Sequence, residues 1–221
     1  MIYRTICEES LPEAIESALI DLSWYGEEGV RENQNQKERC KEIRLVINVI
    51  RPQEEPKYSK AIPCGKADLK NYIDEFINGT ADNKGWHYTY HQLYEPFYGK
   101  VIAEFKRCKH TRRACISLGQ GDINFTEYPP CLQLLMFDIV DDCLEITAVF
   151  RSNDAVKAFG MNIQAIAELQ KKVAEELGFW AGELHYIVNS FHAYERDWRT
   201  LKNYVKMFSQ KPYKKRIWRS E

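Results

Sequence analysis

No apolar run in the 221 residues approaches the roughly 20 residues that a membrane-crossing helix needs, and no secretory signal pattern opens the chain. No CxxC pair occurs, and no Cys/His cluster has zinc-ligand spacing, so no metal site is expected. There is no basic excess: 31 Lys and Arg stand against 32 Asp and Glu, for a net charge of -1. That balance argues against a dedicated nucleic-acid or anionic-membrane binder, yet leaves room for a local basic pocket that takes one phosphate. Internal repeats and low-complexity segments are also absent. The seven cysteines are odd in number and scattered in spacing, which points to free thiols in a reduced, cytoplasmic compartment. Most of them are expected to be small buried apolar residues. The length suits a single domain over residues 1–221 with a proper core.

The periodicities predict both helices and strands. Met1 to Ile6 alternates as a strand, and Ser10-Leu11-Pro12-Glu13 has the form of a capping box for the helix that follows. Gly26 to Lys41 is charged and aperiodic and reads as a loop; Glu42 to Arg51 reads as a buried strand ending at Pro52. Leu69, Tyr72, Ile73, Phe76 and Ile77 sit at helical spacing with Gly79 as C-cap, and Gly79 to Trp86 is polar turn material. Phe97, Val101, Ile102 and Phe105 mark another helix, and Ala114 to Leu118 a short strand after Arg112-Arg113. Two apolar runs, Leu132 to Val140 and Leu144 to Phe150, flank Asp141-Asp142-Cys143 as a β-hairpin. A long helix over Ala155 to Leu177 ends at Gly178, a strand over Leu184 to Val188 runs on toward His192, and a last helix carries Trp198, Leu201, Tyr204 and Val205. Without a regular βαβ alternation, the class is α+β, with helices on one face of a mixed sheet.

The hairpin organises the chemistry. Cys131 follows Pro129-Pro130, whose locked φ angles stiffen the approach to the first strand. Folding the hairpin returns Arg151 toward Cys131. A fixed cation lowers a thiol pKa toward the reactive thiolate, and a guanidinium also forks onto an oxygen-rich anion. Taken alone, Cys131 reads as a structural thiol, Arg151-Ser152 as an exposed hairpin end, and Arg112-Arg113 as a solvated pair.

Taken together, Pro130-Cys131, Arg151-Ser152-x-Asp154, Asn162 and His192-x-Tyr194 resemble the thymidylate synthase family in order and spacing. The phrases Tyr88-Thr89-Tyr90-His91 and Pro130-Cys131-Leu132-Gln133 look most like its archaeal-type branch. The resemblance implies a mixed-sheet α+β fold, packed sheet to sheet in a homodimer, and C5 methylation of dUMP to dTMP. The donor would be 5,10-methylene-tetrahydrofolate or an archaeal pterin analogue, with no metal. In that reading Cys131 adds to C6 of the pyrimidine, and Arg151 and Ser152 hold the phosphate. Arg112 and Arg113 bind the phosphate held by the other subunit. Asn162 reads the O4 and N3 edge of uracil, His192 and Tyr194 hold the sugar 3′-hydroxyl, and Asp154 joins the network at the base and folate. An acidic residue near Glu75 serves as general acid/base, with Asp74 equally close.

The chain also departs from the family pattern. Phe150 stands where glutamine is usual, and Leu132 where bacterial members carry histidine. Arg31, Arg39 and Arg44 offer no clean N-terminal phosphate ligand, and Lys211 to Glu221 has no recognisable closing tail. Two alternatives stand beside methylation: hydroxymethylation of dUMP or dCMP on the same fold, and non-catalytic nucleotide or RNA binding.

Overall fold

The computed structural model describes residues 2–33, 36–80, 88–119 and 129–208; Tyr128, the stretch 81–87 and the tail from 209 onward lie outside the described residues. A mixed sheet carries the chain. β1 (Tyr3–Glu8) runs parallel to β3 (Gln36–Val49), which pairs antiparallel with β8 (Trp180–Tyr194). Next come β6 (Cys143–Phe150), parallel to β8, then its hairpin mate β5 (Leu132–Val140) and the edge strand β4 (Cys115–Ser117). β2 (Glu27–Asn33) adds to the outer half of β3, and β7 (Asn153–Asp154) to the end of β8.

Among the described residues, five α-helices cover one face. They are α1 (Leu11–Tyr25), α2 (Lys66–Asn78), α3 (Tyr90–Arg107), α4 (Phe159–Leu177) and α5 (Trp198–Phe208). α4 lies on β6 and β8, α1 lies on β3, and α1, α2 and α3 each lean on α4. Alternate strand residues point into this layer: Leu45, Ile47 and Val49, Leu184, Tyr186 and Val188, and Ile146, Ala148 and Phe150 are all buried. The opposite set includes Val46, Met136 and Val140, which are exposed. This is the α+β arrangement that the sequence predicts. No helix among the described residues is long and apolar enough to cross a membrane.

Four expectations need correction. Gly26 to Lys41 is not a loop but most of the β2–β3 hairpin. Its pattern hides because neither face is apolar; cross-strand charges such as Arg31–Glu42 at 2.7 Å and Arg39–Glu28 at 3.0 Å hold it instead. Ser10 is the N-cap of α1, yet its hydroxyl donates to the Glu13 carboxylate at 3.1 Å rather than accepting from the backbone. The capping box belongs to α3, where Thr89 and Gln92 exchange bonds of 3.3 and 3.0 Å, so that helix starts at Tyr90 and runs through Pro96. The cysteines are mostly not buried: Cys40 is, while Cys7 and Cys115 are exposed on strands.

α4 begins four residues later than its apolar pattern suggests. One oxygen of Asp154 accepts from the Val156 and Lys157 N–H groups, both at 2.9 Å, and holds a separate turn ahead of the helix. At the other end Gly178 takes φ 77°, ψ 28°, the left-handed C-cap geometry, with open space where a Cβ would stand. Gly178→Ala therefore meets only the backbone cost and should lower stability by about 1 kcal/mol in urea unfolding. An unchanged midpoint would show that the turn relaxes elsewhere.

Candidate active site

The hairpin does bring Arg151 back to Cys131. Leu132 pairs with Phe150, and the Arg151 N–H donates to the Cys131 carbonyl at 2.9 Å. The guanidinium then clasps the double proline, Nε donating to Pro130 O at 3.0 Å and Nη2 to Pro129 O at 2.7 Å. Gln133 Nε2 also donates to Pro130 O. The half-buried thiol is thus mounted on a backbone held from two sides. Burial raises its pKa above the ordinary value, and the Arg151 charge opposes that rise without overcoming it. At rest the group is a thiol. The cation acts in the direction expected, but desolvation is the larger effect.

Phenols gather around the thiol. Tyr88 hydrogen-bonds the backbone of Cys131, and Tyr90 that of Leu132, so the start of α3 is tied to the start of β5. Burial pushes Tyr88 up to about 12 and Tyr90 well above its usual range. Tyr72 from α2 and Tyr186 from β8 are raised by burial as well, and both lie within electrostatic reach of Cys131. All four keep their protons at neutral pH. Phe150 stacks on Tyr186 at 4.7 Å between centroids and meets Tyr90 edge-on at 6.4 Å.

Asn162 lies in the first turn of α4 and is 5 % exposed. Its Oδ1 accepts from the Tyr72 hydroxyl at 2.5 Å, and its Nδ2 is 3.4 Å from Asn153 Oδ1. Ser152 is half-buried between Arg151 and Asn153. Asp154 pairs in parallel register with His192. His192 meets the Tyr194 ring edge-on at 4.8 Å, and its Nδ1 lies 3.2 Å from Ser190 O. Burial, then the Asp154 carboxylate, pushes Tyr194 up to about 12.

The two candidate acids of α2, Asp74 and Glu75, separate. Both line a cleft of about 170 Å³ with Asn71, Gly79 and Thr80. Asp74 is exposed and accepts from Asn78 Nδ2 at 2.7 Å, whereas the Glu75 carboxylate acts electrostatically on Tyr72. Arg112 and Arg113 are not brought to Cys131. Both are exposed, and the neighbouring Ala114 carbonyl accepts from Phe137 N. Phe137 is six strand residues beyond Cys131, or roughly 20 Å at ~3.3 Å per residue.

Sequence reasoning gave no site role to Tyr72, Tyr88, Tyr90 or Tyr186, and took Asn153 only as part of the Arg151-to-Asp154 stretch. Tyr72 and Tyr186 fall at core-facing positions of a helix and a strand, so periodicity absorbs them. Asn153 was legible, since it sits inside the Arg151-to-Asp154 motif.

The fold is α+β, with a half-buried thiol at the open end of its hairpin and four phenols within its electrostatic reach, two of them bonded to buried carboxamides. The family model described as thymidylate synthase matches residues 85–217, more than half of the chain. The chain belongs to the thymidylate synthase family. Similar proteins named "Putative thymidylate synthase" include one from Methanococcoides burtonii, 28% identical over 213 residues, covering 90% of this chain and 97% of that one. Another, from Methanocaldococcus jannaschii, is 30% identical over 183 residues, covering 76% and 82%. A third, from Methanosarcina barkeri, is 28% identical over 207 residues, covering 87% and 94%.

Proposed function

We propose that this protein is a cytoplasmic, homodimeric thymidylate synthase that converts dUMP to dTMP. The observation that carries the reading is the stiffly mounted Cys131 with Arg151 beside it, within electrostatic reach of Tyr72, whose hydroxyl is bonded to Asn162. The Cys131 thiolate adds to C6 of the uracil ring, which places electron density at C5. A methylene-tetrahydropterin supplies the one-carbon unit and the hydride that completes the methyl group. Arg151 and Ser152 take the phosphate, since guanidinium and hydroxyl donors match its oxygens. Asn162 donates to O4 and accepts from N3–H. His192 and Tyr194 hold the 3′-hydroxyl, and Asp154, already fixing the turn before α4, orders the base and pterin side of the pocket.

Glu75 is the general acid/base in this reading. Its influence on Tyr72 favours it over Asp74, whose carboxylate is turned to Asn78. Arg112 and Arg113 serve the partner subunit's phosphate, which agrees with their distance from Cys131 within one subunit. The sheet face that carries Val46, Met136 and Val140 is the surface on which a second copy packs.

Loss of tritium from C5 tests the whole reading. Labelled dUMP should release tritium only with methylene-tetrahydrofolate or a methylene-pterin present, in step with dihydropterin formation. Labelled dCMP should release none. Release without dihydropterin, together with a hydroxymethyl product by mass, would establish the hydroxymethylase instead. No release with any donor would point to a binding protein.

A further inference from the structure

Asn162 is one member of a hydrogen-bonded chain that crosses four elements. The Tyr72 hydroxyl on α2 meets Asn162 Oδ1 on α4 at 2.5 Å, Asn162 Nδ2 meets Asn153 Oδ1 on β7 at 3.4 Å, and Asn153 Nδ2 meets the Tyr186 hydroxyl on β8. Asn153 is 2 % exposed, Asn162 5 % and Tyr186 0 %, so water has little access to replace these partners. Leu132, buried beside Cys131, offers no polar group to share the task.

The two ends of the chain differ in kind from its middle. A hydroxyl can donate or accept, whereas a carboxamide has a distinct oxygen and nitrogen end. Turning Asn162 alone would set its oxygen against Asn153 Oδ1, two acceptors facing each other in a buried site. Asn153 would then have to turn as well, and the Tyr186 hydroxyl to reverse. As the side chains stand, the Tyr72 hydroxyl donates to Asn162 Oδ1 while Asn162 Nδ2 faces Asn153 Oδ1, so both ends of the amide are engaged in this orientation. One lone pair of Asn162 Oδ1 and one N–H of Nδ2 are left over for a ligand.

We propose that Tyr72 and Asn153 are positioning residues that hold the Asn162 carboxamide in one orientation and so make the site selective for a uracil over a cytosine edge. Uracil offers a donor at N3 and an acceptor at O4; cytosine offers the reverse at N3 and N4 and fits only the turned amide. The inference rests on Asn162 reading the base, as proposed above, and adds what sets the direction of that reading.

The test is the ratio of dissociation constants for dUMP and dCMP, measured by calorimetry on the full-length wild type, Tyr72→Phe and Asn153→Ala, with melting curves to verify folding. The wild type should prefer dUMP by roughly 10- to 100-fold, the discrimination typical of one bidentate base contact. Each variant should narrow that ratio by about tenfold, chiefly through tighter dCMP binding as the amide becomes free to turn. A purely structural role would weaken both nucleotides alike and leave the ratio unmoved, which overturns the inference. Should Asn153→Ala fail to fold, Tyr72→Phe, which removes a single oxygen, decides the matter alone. A wild type that binds neither nucleotide defeats the functional reading and this inference with it; selective binding with unmoved ratios defeats only the inference.

Discussion

Cys131→Ser will lower turnover by about 10⁴-fold or more while leaving dUMP affinity within a few-fold of the wild type. A serine hydroxyl fills the same space and takes the same backbone geometry from Pro129-Pro130 and Arg151. It cannot supply an anion near neutral pH, so only the bond to C6 is lost. Equilibrium dialysis of dUMP against the variant separates this from a collapsed pocket. Retained turnover would remove Cys131 from the chemistry.

The same thiol sets a pH dependence. Its pKa lies above the ordinary value because burial outweighs Arg151, so the protonated form dominates at neutral pH in the free enzyme. The reactive thiolate therefore grows with pH, and kcat/KM should climb about tenfold per unit until the thiol pKa is passed. A profile that falls as pH rises through neutrality would contradict a thiolate nucleophile.

The second large effect concerns subunit sharing. Arg112→Ala/Arg113→Ala should be nearly inactive although the adjoining Ala114 backbone meets β5 at Phe137, roughly 20 Å along that strand from Cys131 in the same subunit. Cys131→Ser is inactive for a different reason. Unfolding and refolding the two together at equal amounts should restore activity to about a quarter of the wild type. Half of the dimers are then mixed, and each mixed twofold dimer contains one intact site. Failure of the mixture to recover activity would mean that each pocket is built from one chain, and the arginines would then serve another purpose.

Much of this site was legible in the sequence. The Asp141-Asp142 turn, both residues at positive φ, between two apolar runs announces the hairpin that returns Arg151 to Cys131. What hid was either polar on both faces or apolar by position. The β2–β3 ribbon is joined by charge pairs and has no hydrophobic period to read. Tyr72 and Tyr186 count as core residues in any periodicity, because a phenol presents a ring to its own element and a hydroxyl to a distant one.

By itself, then, the sequence determined the α+β class, the hairpin, the thiol on its double-proline support and the family, because these rest on local pattern and spacing. Only the tertiary structure decided which groups face that thiol, that burial rather than Arg151 governs its protonation, and that Arg112 and Arg113 stand far away. Hydroxyls, carboxamides and charges act across elements that are distant in the chain, and their partners exist only once the sheet and helices have packed.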